Sequence, residues 1–275
     1  ASKYIDFLKK YTDMKIIYYG HDLHFLRERR EYELTGDVKK RQESEYWKSI
    51  EFSLFHKVAV SYYPSYVEEE AIHAVDETIP VKAITAYVYE EFLQNLNKDF
   101  AKREGLLFVG GFAHPPNADA VLWFAKEVFP KIREQIKVNF YIVGSKVTDE
   151  IKALEQPGNG IIVKGFVSEE ELADLYRNCR IVVVPLRYGA GVKGKVVEAI
   201  YNGAPIVTTS VGSEGIPDVE KVLLVKDQPD EFAETVVELY KDEKRLEDLA
   251  EKTQVYIREH FSIDAAWDVI KEDFE

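Results

Sequence analysis

The sequence predicts an α/β protein whose main domain is a doubly wound, Rossmann-like parallel sheet. From Leu106 onward, short apolar runs rich in β-branched residues alternate with longer segments of helical periodicity, the pattern of a parallel sheet covered on both faces. Glycines follow several of these runs, as tight turns between strands and helices require. A length of 275 residues with 46% hydrophobic residues allows a sizeable core. We expect one complete α/β domain and part of a second.

The predicted strands and helices of the main domain follow each other in regular alternation. The strands are 106–111, 139–144, 160–166, 180–186, 205–209 and 221–225. The helices are 117–136, 148–155, 169–178 and 193–201, and the segment 229–275 is helical with a break at Ser262. The first of these helices places Val121, Phe124 and Val128 at the three- and four-residue spacing of a helix that packs on a sheet.

The first hundred residues predict a smaller α/β region. Its helices are 2–11, 23–55 and 65–75, and its strands are 15–20, 57–61 and 81–85. Three β/α units are too few for a complete doubly wound sheet, and the chain does not begin with Met, so we expect it to start partway through an N-terminal domain. The predicted division is 1–96 for the partial N-terminal domain and linker, 97–261 for the main Rossmann-like domain, and 262–275 for a terminal helix.

Charge and cysteine content argue against several classes of protein. There are 36 Lys and Arg residues against 49 Asp and Glu residues, a net charge of -13, which disfavours binding to nucleic acid through its phosphates. The single cysteine, Cys179, excludes an internal disulfide and fits a reducing compartment. No apolar run approaches the roughly 18 residues that a membrane helix needs, and no secretory signal is visible. We expect a cytoplasmic protein; association with the inner face of the membrane and the oligomeric state stay open.

The glycine-rich segment after strand 180–186 predicts an anion site. It leads into a helix whose first turn holds Lys193 and Lys195, where lysines are unfavourable unless a ligand brings negative charge. Glu198 follows three residues later, and a carboxylate beyond a phosphate site suits hydrogen bonding to a ribose diol. The alternative is two solvated lysines and a surface glutamate that pairs with one of them.

Three further predicted strands end in glycine. Gly110 and Gly111 follow the first strand of the main domain, Gly144 follows the second, and Gly165 precedes Phe166 at the end of the third. Ligands of open parallel sheets bind outside the carboxyl ends of the strands, where small residues let a ligand approach the backbone. The alternative is that each glycine serves a tight turn.

Together, these segments resemble the donor-site signature of family 4-type (group 1) glycosyltransferases of the GT-B fold. The resemblance is carried by VPLRYGAGVKGKVVEA at 184–199, GAPIVTT at 203–209, GSEG at 212–215, FVGGF at 108–112, PNAD at 116–119, IVG at 142–144 and GFV at 165–167. It covers the chain closely from residue 106 to the end and more loosely over 15–85. These motifs indicate the superfamily and leave the sugar undefined.

The resemblance implies an enzyme that moves a sugar from a nucleotide diphosphate sugar to a glycan or lipid-linked acceptor. Such transfer usually retains the anomeric configuration and needs no metal or other cofactor, and it would belong to polysaccharide or glycoconjugate biosynthesis. The resemblance also implies that the terminal helix packs back toward the N-terminal domain. If much of the acceptor domain lies outside this chain, we expect it to bind nucleotide without transferring a sugar.

The resemblance also implies specific site residues. Lys193 and Lys195 would stabilise the diphosphate during catalysis, and His21 would lie near the donor sugar. The implied donor-binding residues are Gly110, Gly111, His114, Asn117, Gly144, Gly165, Phe166, Gly191, Val192 and Glu198. Two departures stand out: Ala190 occupies a position where many relatives have a glutamate, and the loop after the first strand, GFAHP, lacks the Arg and Lys of many relatives. The phosphate role therefore falls more heavily on Lys193 and Lys195.

Other interpretations of the sequence stay open. A nucleotide-sugar epimerase of the same fold would need carboxylates in the cleft for proton transfer, and a non-catalytic nucleotide-binding module would need only the anion site. His21 and His24 suggest a metal site but lack a third ligand at a recognisable spacing, so we expect no metal. The stretch 27–45 alternates in charge and favours a solvated helical face.

Overall fold

The computed structural model describes residues 1–189 and 191–274, with the side chain of Leu34 excepted. The described residues form two compact units: Ala1–Val88 together with Ile263–Glu275, and Tyr89–Ser262. Residues 89–96, which we had assigned to the N-terminal domain and linker, belong to the second unit. Tyr89 explains this, because its ring stacks on that of Tyr201 at 4.2 Å and its backbone N–H donates to the carbonyl of Phe261.

The strands fall at the predicted apolar runs, with trimmed ends. They are β1 (Ile17–Tyr19), β2 (Val60–Tyr63), β3 (Val81–Ala83), β4 (Leu106–Val109), β5 (Phe140–Val143), β6 (Ile161–Gly165), β7 (Ile181–Val184), β8 (Ile206–Thr208) and β9 (Leu223–Val225). β2 is shifted toward the C-terminus relative to the predicted 57–61, because the four residues from Val60 to Tyr63 are the buried ones.

The helices are α1 (Ile5–Tyr11), α2 (His24–Thr35), α3 (Val38–Phe55), α4 (Tyr66–His73), α5 (Pro115–Trp123), α6 (Phe129–Gln135), α7 (Asp149–Lys152), α8 (Glu169–Asn178), α9 (Gly194–Tyr201), α10 (Ser210–Ser213), α11 (Pro229–Lys241), α12 (Glu243–Phe261) and α13 (Ile263–Phe274). A π-helical turn covers Phe124–Val128, and a 3-10 turn covers Val219–Lys221. Across the described residues, no helix combines the length and the apolar content needed to cross a membrane.

The second unit contains a six-stranded parallel sheet in the order β6-β5-β4-β7-β8-β9. In chain order this is 3-2-1-4-5-6, the arrangement of a doubly wound dinucleotide-binding fold. The predicted fold class is therefore confirmed. The four residues of β7 are all buried, as expected for a central strand covered on both faces.

The predicted helix 117–136 is interrupted by the π-helical turn between α5 and α6. Pro130 lies at the start of α6 and has no backbone N–H, so it cannot donate to the preceding turn. The chain widens there, and the N–H of Phe129 donates to the carbonyl of Phe124 five residues earlier. Phe124 remains fully buried against Phe140, with ring centres 4.8 Å apart.

The first unit contains a three-stranded parallel sheet in the order β1-β2-β3. The predicted single helical region 23–55 divides into α2 and α3, because Gly36 adopts a left-handed φ of 71° and Asp37 caps α3 through the N–H of Lys39. The prediction of a solvated charged face is wrong at Glu28. Its side chain is buried and accepts hydrogen bonds from Arg27 and Lys40.

Helix α13 belongs to the first unit, where Asp273 anchors it to the sheet. The Asp273 carboxylate accepts hydrogen bonds from the hydroxyl of Tyr62 and the ammonium of Lys82. Both contacts lower the pKa of Asp273. The helix is thus held by charged and polar contacts, and its residues contribute no fully buried side chain.

Candidate functional site

The carboxyl ends of β4 and β7 mark the point where the strand order of the six-stranded sheet reverses. Helix α5 begins after β4 and α9 begins after β7, so the loops that enter both helices lie at this switch point. In open α/β sheets this is where ligands bind. A cavity of about 200 Å³ lies here, lined by His114, Pro116, Asn117, Leu186, Tyr188, Gly189, Val192, Lys193, Gly194 and Lys195.

Lys195 is a partly buried cation of this cavity. It lies in the first turn of α9, which contains no acidic residue. Its ammonium donates a hydrogen bond to the side-chain oxygen of Asn117 and lies 5.1 Å from the centre of the Phe108 ring. Burial, with a contribution from nearby Lys193, lowers the pKa of Lys195 from 10.5 to about 8. A bound anion would favour its charged form.

Lys193 occupies the N-cap position of α9 beside Lys195. Its ammonium donates to the carbonyl oxygen of Gly191 and lies 3.8 Å from the carboxylate of Glu214. Only 10% of its side chain is exposed. Burial first, and then the two lysines, lower the pKa of His114 at the opposite side of the cavity. Three basic groups therefore share one small space, and an anion would relieve their mutual repulsion.

Asn117 links the loop after β4 to α9. Its side chain is 6% exposed, its amide nitrogen donates to the carbonyl oxygen of Gly111 at 2.7 Å, and its amide oxygen accepts from Lys195. A β-carbon on Gly110 would lie 3.0 Å from both the Asn117 amide nitrogen and the Lys195 ammonium. Glycine at position 110 leaves the space in which these two side chains meet.

Gly144 and Gly165 continue this edge of the sheet toward β6. A β-carbon on Gly144 would lie 1.9 Å from the carbonyl oxygen of Gly110, so β4 and β5 approach closely at this point. The N–H of Gly144 donates to the carbonyl of Gly165, which has a left-handed φ of 70°. Phe166 follows directly and is 82% exposed. An exposed aromatic residue thus stands two strands from the switch point.

Glu198 lies one turn beyond Lys195 on α9 and does not line the cavity around that lysine. Burial raises the pKa of its carboxyl group, and the hydroxyl of Tyr176 acts in the opposite direction. Tyr176 is fully buried, and burial together with Glu198 raises the pKa of its hydroxyl. These two groups lie close enough to influence each other's pKa. The role of Glu198 toward a ribose stays a prediction.

The glycine-rich loop before α9 supplies one wall of the cavity. Gly191 has a left-handed φ of 70°, and no described atom lies within 4 Å of the place where its β-carbon would be. Val192 lines the cavity directly. Ala190, where many relatives have a glutamate, lies outside the described residues.

His21, the predicted histidine near the donor sugar, lies in the first unit just after β1. Its ring is exposed and meets the Tyr19 ring edge to face, with centres 5.1 Å apart. Gly20 precedes it and packs on Tyr63, whose ring would lie 2.5 Å from an added β-carbon. The histidine is therefore presented at the carboxyl end of the first sheet, and its catalytic role stays a prediction.

His24 contributes to the structure of the first unit through its contacts with Glu51. Its Nδ1 lies 3.0 Å from the Glu51 carboxylate, which also accepts the backbone N–H groups of His24 and Phe25. Glu51 thus caps α2 from α3, and Trp47 stacks on the His24 ring at 4.5 Å. In the part of the chain that the structure describes, no group of three His, Cys, Asp or Glu side chains could hold a metal.

Two contacts of the lysines in this cavity depend on the three-dimensional fold. Asn117 and Lys195 are 78 positions apart, and only the switch-point topology brings them together. Glu214 could have been suspected from its motif, GSEG, but its approach to Lys193 depends on the turn after α10. Local sequence patterns predict the two lysines of this site. The groups that contact them, Asn117 and Glu214, are brought there by the fold.

Comparison with known proteins identifies the family. A family model described as glycosyl transferases group 1 matches residues 103–242, half of the chain and all of the cavity lining. An uncharacterized 44.6 kDa protein in the cps region of Klebsiella pneumoniae is 29% identical over 184 residues, which are 64% of this chain and 45% of that protein. The chain thus spans less than half of the length of this relative.

Solved structures show the same fold at low identity. Sucrose-phosphate synthase from Thermosynechococcus elongatus is 16% identical, with a TM-score of 0.71 over 99% of this chain and 70% of its own. HepE from Anabaena in complex with UDP is 13% identical, with a TM-score of 0.70 over 100% of this chain and 76% of its own. The pneumococcal O-GlcNAc transferase GtfA in complex with UDP and GlcNAc is 20% identical, with a TM-score of 0.62 over 83% of this chain and 47% of its own. With its α/β fold and the family match across the switch-point cavity, the chain belongs to the group 1 glycosyl transferases.

Proposed function

We propose that the protein transfers a sugar from a nucleotide diphosphate sugar to a glycan or lipid-linked acceptor. The observation that carries this proposal is the partly buried Lys195 ammonium at the switch-point cavity, which has no carboxylate within ion-pair distance among the described residues. A diphosphate is the anion that this arrangement fits, since the N-terminus of α9 adds its own positive field. Family membership supports sugar transfer. The Klebsiella relative from a cps region supports a place in polysaccharide biosynthesis.

The chemistry follows from where negative charge develops. As the bond between the sugar and the diphosphate breaks, the leaving diphosphate gains charge, and Lys193 and Lys195 would stabilise that charge more strongly than the ground state. Two ammonium groups and a helix N-terminus supply the positive charge locally, so we propose transfer without a metal ion or other cofactor. His21 would lie near the donor sugar, and retention of configuration follows only from the family resemblance.

The nucleoside end of the donor would lie along the carboxyl edge from β4 toward β6. Neighbouring strands are about 4.8 Å apart, so Phe166 lies about 10 Å across the sheet from β4. A nucleoside that leaves the diphosphate in this direction would bring its base near the exposed Phe166. Glu198, one turn beyond Lys195 on α9, would accept hydrogen bonds from the ribose hydroxyls.

Calorimetry with UDP tests the anion site directly. HepE and GtfA are described in complex with UDP, which makes UDP the first probe. Lys195→Ala should weaken UDP binding at least tenfold at pH 7. The matched control is Lys252→Ala, since Lys252 is an exposed lysine of α12 paired with Asp248, and its removal should leave the affinity unchanged. Equal affinity of the wild type and Lys195→Ala would refute the site.

A product assay tests the transfer step. UDP-, GDP- and dTDP-sugars are incubated with the protein and with water or a simple glycoside, and the released nucleotide and the new glycoside are measured by mass spectrometry. Sugar transfer supports the proposal. Epimerised donor without transfer, or nucleotide binding without turnover by a chain that also includes the complete acceptor domain, would overturn it.

A further inference from the structure

Asn117 lies in the cavity wall, and each end of its amide already has a hydrogen-bond partner within the protein. The amide nitrogen donates to the Gly111 carbonyl at 2.7 Å, and the amide oxygen accepts from the Lys195 ammonium. With 6% exposure, the side chain is enclosed between the β4 loop and α9. This differs from the role of direct donor contact that the family resemblance implies for Asn117.

The partner that Asn117 offers to Lys195 is neutral. By contrast, the neighbouring Lys193 has a carboxylate, that of Glu214, within 3.8 Å. A carboxylate in place of the Asn117 amide would form an ion pair with Lys195 and compete with any anion in the cavity. An amide oxygen orients the ammonium through a hydrogen bond and leaves its charge uncompensated.

We propose that Asn117 is a positioning residue, which holds the Lys195 ammonium toward the cavity without neutralising it and so keeps it available for the diphosphate. This inference rests on the proposed function. Gly110 contributes to this arrangement. A β-carbon at this position would crowd both the Asn117 amide nitrogen and the Lys195 ammonium.

Other ionisable groups near Lys195 also influence its titration. Lys193 from the start of α9 and His114 from the start of α5 are basic, and Glu214 lies against Lys193. Glu198 lies one turn away on α9. None of these groups changes in an Asn117 variant, so a shift in the titration of Lys195 reports on its hydrogen-bond partner.

The titration of Lys195 can be measured without any donor. Trace acetic anhydride labels neutral amines, and mass spectrometry of the Lys195 peptide across pH 6.5–10.5 gives the midpoint. We expect a wild-type midpoint near pH 8 and a midpoint at least one pH unit higher in Asn117→Asp, since the new carboxylate favours the charged ammonium. The control Asn178→Asp adds the same charge at an exposed position of α8 and should leave the midpoint unchanged.

Calorimetry with UDP at pH 7 then separates positioning from direct contact. Asn117→Asp should weaken UDP binding at least tenfold. Asn117→Ala removes the amide that positions Lys195 and adds no charge, so it should weaken UDP binding less. An unchanged Lys195 midpoint in Asn117→Asp would overturn the inference, as would a larger loss of affinity in Asn117→Ala than in Asn117→Asp. If the wild type binds none of UDP, GDP and dTDP while the midpoint still moves, the proposed function fails and the positioning role stands.

Discussion

Replacing Lys195 with methionine should stabilise the second unit while it abolishes the anion site. Methionine has a similar length and an unbranched, adaptable side chain, so it can keep the packing beside Phe108. The substitution removes a cation that is partly buried, close to Lys193 and without a carboxylate partner among the described residues. The expected gain in stability therefore measures the free-energy cost of keeping the charged Lys195 ammonium in the folded protein.

The magnitude follows from the pKa of Lys195. The fall from 10.5 to about 8 in the folded protein corresponds to a cost of about 3 kcal/mol for the charged form at pH 7, at ~1.4 kcal/mol per pH unit. Methionine removes this cost but leaves the Asn117 oxygen without its donor, a loss of about 1 kcal/mol. We expect Lys195→Met to raise the free energy of unfolding at pH 7 by about 2 kcal/mol.

The dependence on pH distinguishes this effect from ordinary repacking. Because the pKa of Lys195 is lowered in the folded state, the unfolded chain binds more protons between about pH 8 and 10.5, and wild-type stability rises relative to the variant. Urea unfolding at pH 7 and pH 9.5 should therefore show the advantage of Lys195→Met shrinking by about 2 kcal/mol. The exposed control Lys252→Met should differ from the wild type by less than about 0.5 kcal/mol at both values. A variant less stable than the wild type at pH 7, or a difference independent of pH, would refute the reasoning.

Four other substitutions test the framework around the site. Gly144→Ala should lower the free energy of unfolding by about 2 to 4 kcal/mol in a calorimetric scan, because its β-carbon would collide with a carbonyl oxygen. The control Gly158→Ala also places alanine at a positive φ but in open space, and it should lower the free energy of unfolding by about 1 kcal/mol. Glu51→Gln should lower stability by about 1 kcal/mol, seen as faster hydrogen exchange at the start of α2, because an amide has one acceptor oxygen where the carboxylate uses two for the N–H groups of His24 and Phe25. Asp273→Asn should accelerate hydrogen exchange in α13, and the same loosening should occur in the wild type as pH falls toward 3, since the lowered pKa of Asp273 means that its contacts are lost on protonation. Phe166→Ala should weaken UDP binding by about 1 to 3 kcal/mol in calorimetry and leave the melting temperature unchanged, because the ring is exposed in the folded protein and would stack on a bound base.

The fold of the second unit was predictable because local and global signals agree there. In α8, Ser168 caps the helix and three glutamates occupy its first turn, so both helix ends matched the prediction. The apolar run of β7 is buried at every position, which is why an uninterrupted stretch of β-branched residues indicated a central strand. The predicted strands 15–20, 106–111 and 139–144 were too long at their carboxyl ends because their terminal glycines belong to the turns that follow.

The first unit was harder to predict than the second. The division of region 23–55 at Gly36 had a local signal, since glycine often ends a helix. Other features depended on contacts between residues distant in the sequence. The burial of Glu28 had no local signal, because it depends on Lys40 reaching it from the next helix. The Glu51 cap of α2 likewise required two helices to pack before a carboxylate could meet the N–H groups of His24 and Phe25.

Several energetic costs coincide at the switch point. Gly144 adopts a positive φ against the Gly110 carbonyl, α9 begins with two lysines, and the ammonium of Lys195 is partly buried against a neutral partner. The charged form of Lys195 costs about 3 kcal/mol and a cation at a helix start about 0.3 to 1 kcal/mol, whereas glycine is the residue that tolerates a positive φ at position 144. A chain selected for stability alone would place an acidic residue in the first turn of α9 and an apolar one at position 195. Their coincidence at the ligand-binding edge of a doubly wound sheet agrees with the proposed anion site, because a bound anion would offset the cost of both lysine charges.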